Sequence, residues 1–342
     1  SMLTDDFILY ITGVKRYSDR TREIYADVLR NFCDFACGPD ETDRETALTR
    51  TLTPTGIRNY EVHLMDGQKL GARTVAQHIS VLSSFCRYLM SRGLLASNPA
   101  RLVKRPKCEK RLPNFFRKDS MDVYFNASEP SVDTESLTEF EKCAEALRDG
   151  TPRTSSAYKA AEELYNRRLR RLIISILYET GMRRAELISL KIGSVDSSRK
   201  IIRFTGKGDK MREIPAVDAL IQEISLYLKV ADMAVGRKRG AEEPLLITVN
   251  GQKLYPVFVD RAVKRELGDV EGITGKKSPH VLRHTLATEL LDDGTDLYSI
   301  KELLGHSSLA ATQVYTHNTV EKLKKVYANA HPRAKRGGKH GD

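Results

Sequence analysis

Through its first hundred residues the chain keeps a helical rhythm: apolar side chains recur every three or four positions, and no stretch alternates strictly as a half-buried strand would. Ile24, Val28, Phe32 and Phe35 form one such stripe behind Ser18, a residue type that caps helices by accepting from otherwise unpaired backbone N–H groups. Thr53-Pro54 marks a second start, since proline is tolerated at the first helical position. Val75, Ile79, Leu82, Cys86 and Leu89 make a third stripe that ends near Gly93. Stripes of this kind are buried, so residues 1–100 are predicted to be a small helical domain with no chemistry of its own.

From about residue 158 the helical rhythm returns, with a glycine break at Gly181 and a new helix start after it, and runs on to Leu190, where it changes. Ile201, Ile202, Arg203 and Phe204, the turn Gly206-Lys207-Gly208-Asp209, and Met211 to Ile214 predict a β-hairpin. After Pro215 the pattern is helical again, with breaks near Gly236, Pro244, Gly251 and Gly275. The predicted fold class is therefore mainly α with a small antiparallel β-sheet. A length of 342 residues favours two domains, each burying its own core.

Charge changes sign between the two halves. Residues 101–118 carry eight Lys or Arg against Glu109, and Pro106 and Pro113 keep the stretch from becoming a helix, so it reads as an extended basic linker. Lys104, Arg105, Lys107 and Arg111 are its candidate phosphate contacts. Residues 119–157 follow as an acidic insertion that can be part helical; no role is read for it. Residues 158–330 form the second domain with its last helix, and 331–342 a basic tail. Overall, 56 Lys and Arg against 45 Asp and Glu give a formal charge of +11, which favours a polyanionic partner.

Five cysteines, at 33, 37, 86, 108 and 143, make no even disulfide framework and lack zinc spacing, so they read as small buried side chains in a reducing compartment. No run of 18 apolar residues is present, and the expectation is a cytoplasmic protein without a membrane partner.

Four separate pieces of the second half carry chemistry: Thr180-Gly181-Met182-Arg183-Arg184-Ala185-Glu186-Leu187, the turn bearing Lys207, His280-Val281-Leu282-Arg283-His284, and the run from Leu304-Gly305-His306 to Tyr315-Thr316-His317. Attack on a phosphodiester gathers negative charge on the non-bridging oxygens, which fixed guanidinium groups such as Arg183 and Arg283 can meet. His280 and Arg283, three apart, share a helix face.

In this order the pieces resemble the catalytic domain of the tyrosine recombinase, or phage integrase, family, in a Xer-like layout. The resemblance covers roughly residues 165–330, and the helical front resembles that family's SAM-like core-binding domain, implying a two-domain DNA-clamping architecture. It implies Tyr315 as the nucleophile of a 3′-phosphotyrosyl intermediate; a phenol with a reference pKa of about 10 needs a base, for which His280 is the candidate. It also implies Lys207 as the acid for the 5′-oxygen, and His306 as a hydrogen bond to the scissile phosphate. Glu186 is expected to orient an arginine neighbour, and His284 to pack. Transesterification conserves bond energy, so no metal, nucleotide or other cofactor is expected. The implied partner is double-stranded DNA with specific recombination sites, bound by a tetramer, with room for a second recombinase or a DNA translocase. A last helix starting at Asn318 or Thr319, with Val320, Leu323 and Tyr327 on one face, would dock on a neighbouring protomer. The implied task is site-specific recombination, with chromosome dimer resolution as one role. Integration of a mobile element, a type IB topoisomerase and a catalytically silent DNA-binding regulator are the alternatives.

Overall fold

A computed structural model of the chain describes residues 2–38, 43–106, 115–128, 134–148, 150–206 and 211–305. Two compact units result, Ser1–Arg111 and Leu112–Asp342.

In the first unit, α1 (Met2–Gly13), α2 (Asp19–Ala36), α3 (Arg44–Thr51), α4 (Pro54–Val62) and α5 (Ala72–Ser91) enclose one core. Ser18 accepts from Thr21 N to open α2, and Thr53 accepts from Gly56 N with Pro54 at the first position of α4. Each such cap contributes about 1 kcal/mol. Helix α5 buries all five residues of its apolar stripe. Cys33 and Cys86 are buried as expected, but Cys37, the extended C-cap residue of α2, is only half-buried.

Ala100 and Val103 are buried in the first core, and Phe116 in the second, so residues near both ends of the basic stretch are anchored by apolar contacts. Lys104 and Arg105 are exposed, whereas Lys107 and Arg111 lie outside the described residues.

The second unit is organised on α8 (Ser156–Thr180), whose residues from Leu169 to Thr180 are all buried. Around it pack α7 (Thr134–Arg148), α10 (Asp218–Val235), α11 (Pro256–Glu266) and α12 (Pro279–Asp292). The remaining helices are α6 (Lys118–Ser128), α9 (Arg184–Ser189) and α13 (Leu297–Leu304). Expected only as an unassigned acidic insertion, the stretch contains α6 and α7, which belong to this core. Met121, Tyr124 and Phe125, and Phe140, Cys143 and Ala144, are buried at i, i+3, i+4 spacing.

The hairpin is β2 (Ile201–Thr205) against β3 (Met211–Pro215), and β1 (Val195–Asp196) adds a third antiparallel strand that sequence patterning missed. Two residues are too few to show an alternating pattern. Register pairs Phe204 with Arg212 and Ile202 with Ile214. Among the described residues no helix is long and apolar enough to cross a membrane.

Candidate active site

The helical rhythm from 158 to Leu190 breaks, as predicted, at Gly181, which ends α8 in the left-handed region (φ 62°). A methyl group there would stand 2.5 Å from Leu304 Cδ2 and 2.9 Å from Leu286 Cδ2, so glycine meets both a backbone and a space requirement. The break turns the chain so that Arg183 becomes the N-cap of α9. Glu186, one turn on, accepts from Arg183 N at 2.7 Å and from Arg183 Nη1 at 2.9 Å, fixing the arginine at both ends. The other fork of Arg183 donates to the Gly305 carbonyl at 3.0 Å.

Arg283 reaches the same place from α12. It is buried, donating to Gly181 O at 2.7 Å and to Leu304 O. Burial, with the nearby Arg183 charge, pushes its pKa down to about 10, which leaves it a cation at neutral pH. His280 lies one turn before Arg283, exposed in the first turn of α12 behind Pro279. Burial against its neighbours lowers its pKa, as do the charges of His284, Arg283, Lys276 and Arg183. It is therefore neutral at pH 7 and able to accept a proton. His284, expected to pack, is only half-buried. Its ring stands edge-on to His280 with Nε2 atoms 2.9 Å apart. One ring must donate and the other accept, so at least one Nε2 carries a lone pair.

Two groups that patterning did not single out complete the site. Arg212, on β3, is buried and donates to Glu186 Oε1 at 2.6 Å. The available signal was a cation at an inward position of a strand, two before the buried Ile214. Second, a cleft of about 590 Å³ is lined by Arg183, Arg283 and His280 together with Arg184, Arg261, Lys264, Lys276 and Lys277. Asp260, paired with Arg184, is the one acid in its lining among the described residues. Those lysines and arginines lie near the recognised motifs in sequence or on the outward side of α11, where a solvated face looks the same as a binding face. In the first unit, Arg105 joins Arg87, Arg101, Ser80, Ser83 and Ser84 around a polar hollow of about 340 Å³.

The structure thus brings Arg183, Glu186, His280, Arg283 and His284 together. Lys207, His306 and Tyr315 lie outside the described residues. What the arrangement can do is hold an anion: fixed guanidinium groups converge on a cationic cleft with a neutral imidazole at its edge.

The phage integrase family matches residues 154–322, and the phage integrase N-terminal SAM-like domain matches residues 4–93. The chain is 35% identical to the tyrosine recombinase XerC of Alcanivorax borkumensis over 286 residues, spanning 84% of this chain and 82% of the relative. Its fold is similar to that of the Tn1549 transposon integrase in complex with transposon right-end DNA. There the TM-score is 0.59 at 16% identity, with 98% of this chain and 97% of that one covered. A lambda integrase tetramer bound to a Holliday junction is similar at TM-score 0.55 and 16% identity, covering 92% of this chain and 79% of that one.

Proposed function

The chain belongs to the tyrosine recombinase, or phage integrase, family, and from that premise we propose that it recombines DNA at specific sites with Tyr315 as nucleophile. The observation that carries the reading is the convergence of Arg183 and Arg283 with a neutral His280 on one cationic cleft. A duplex lying in that cleft would bring a scissile phosphate against two forked guanidiniums, whose charge offsets what the pentacoordinate transition state gathers. His280 takes the phenolic proton of Tyr315 as the Tyr–O–P bond forms. The P–O bond to the 5′-oxygen breaks, and Lys207 supplies the proton that oxygen needs. His306 donates to a non-bridging oxygen. Religation runs the same steps backward, so no external energy source enters.

The exposed Lys104 and Arg105, with the hollow beside Arg87 and Arg101, would hold the duplex through a second set of phosphates, with Lys107 and Arg111 extending the track. Likeness to XerC supports chromosome dimer resolution as the task, carried out in the cytoplasm by a tetramer on DNA. The test is a nicked suicide substrate, from which the fragment beyond the cleavage point diffuses away and traps the adduct. Wild type should give an SDS-resistant 3′-linked complex. Tyr315→Phe should bind the same DNA yet give none, and an adduct surviving that substitution would remove Tyr315 from the reaction.

A further inference from the structure

Arg212 is 6% exposed, and burying a full charge is costly unless it is paired and hydrogen-bonded. Strand alternation forces it inward: Met211 is exposed, while Arg212 and Ile214 are buried. Its partners come from separate parts of the second unit. Beside it on β2, Phe204 offers its ring face, with the centroid 4.8 Å from the guanidinium carbon. On α9, Glu186 Oε1 accepts from Nη2 at 2.6 Å, and at the end of α13 the Leu303 carbonyl accepts from Nη1 at 3.3 Å.

Two glycines make the room. A methyl group on Gly206 would come within 3.0 Å of Arg212 Nε, and one on Gly305 within 2.0 Å of Nη1. Gly206 is the residue before Lys207, and Gly305 the residue before His306. Arg212 therefore occupies the space that a side chain at either glycine would need, and through Glu186 it also reaches Arg183.

We propose that Arg212 is a positioning residue for strand cleavage, which locks Glu186 against Arg183 without itself touching DNA. The proposal rests on the cleavage reading given above. Besides geometry, it concerns charge. Glu186 Oε1 accepts from both Arg183 and Arg212, so the three groups together carry +1. Without Arg212 the remaining pair would be neutral, and Arg183 would face the phosphate with its field largely spent on its own carboxylate.

A scissile methylphosphonate, in which a neutral methyl replaces one anionic oxygen, separates this role from mere support of the fold. With the full chain at saturating DNA, Arg212→Met should bind a half-site within about 3-fold of wild type. It should cleave the normal phosphate at least about 10-fold more slowly but the methylphosphonate less than about 3-fold more slowly, the scale of loss expected when a positioned group is displaced. In a Glu186→Gln background, Arg212→Met should add less than about 3-fold. If Arg212→Met fails to fold, Arg212→Gln is read the same way, since glutamine removes the charge while its amide can still donate to Glu186 or to the Leu303 carbonyl. Equal slowing on both substrates, or no slowing, overturns the proposal. Failure of wild type itself to form an adduct would overturn the cleavage reading instead.

Discussion

Gly181→Ala should damage this protein twice, by amounts that can be separated. The left-handed backbone at φ 62° costs an L-residue about 1–2 kcal/mol. The added methyl would then meet Leu304 Cδ2 at 2.5 Å and Leu286 Cδ2 at 2.9 Å, and overpacking of that kind costs roughly a further 1–3 kcal/mol. The sum, about 2–5 kcal/mol, corresponds to a fall in Tm on the order of 10 °C for a unit of this size. Gly236→Ala is the matched control in the same unit. It has a similar φ of 75°, but its nearest neighbour is the flexible Arg148 side chain at 3.4 Å, so only the backbone cost applies and Tm should fall by about 3 °C. Activity separates the two further. Leu304 O receives Arg283, and the next carbonyl, Gly305 O, receives Arg183, so displacing Leu304 moves both cations. Calorimetry on the full chain and single-turnover cleavage at a temperature where both variants are folded provide the two readouts. Cleavage should fall at least about 10-fold in Gly181→Ala and stay near wild type in Gly236→Ala. Equal losses of stability and rate in the two variants would refute the crowding argument.

Because burial and neighbouring cations hold the His280 pKa below its usual 6.5, the cleavage rate should rise with pH below that value and be flat by pH 7. His284 is one of the neighbours that lower the His280 pKa, so His284→Gln should move the rising limb to higher pH, and an unmoved limb would disconnect the pair. Burial raises the Glu289 pKa to about 7, although Tyr178 donates to both of its oxygens at 2.7 Å and Lys118 is near, with Asp122 and Asp293 adding to the rise. The folded state then holds the extra proton between the ordinary 4.5 and 7, so stability should fall by up to about 3 kcal/mol as pH rises through that window. Urea unfolding at pH 5 and pH 8 should show this in wild type and not in Glu289→Gln. Neutralising Arg261, Lys264, Lys276 and Lys277 should weaken cognate and random DNA alike and flatten the log–log salt dependence by about 0.9 per lost phosphate contact. An unchanged slope would place the duplex elsewhere.

Much of this protein was legible in its sequence because the signals are local. A cap such as Ser18 or Thr53 acts on N–H groups two or three residues away, and the stripe of α5 is fixed by a period of 3.6. His280 and Arg283 share a face for the same reason, and Gly181 announces a break wherever it stands. The helices α6 and α7 were obscured by their short apolar stripes, Met121, Tyr124 and Phe125 in one and Phe140, Cys143 and Ala144 in the other, set among acidic and Ser/Thr positions. Tertiary structure alone decided that Arg212, 26 residues beyond Glu186, would share that carboxylate with Arg183. It also decided that Leu303, Leu304 and Gly305 would offer their carbonyls to Arg212, Arg283 and Arg183. A strand's alternation can say that a cation points inward, but not which carboxylate waits there. That partner is set by how strand and helices pack, and a buried charge tolerates only a packing that supplies one.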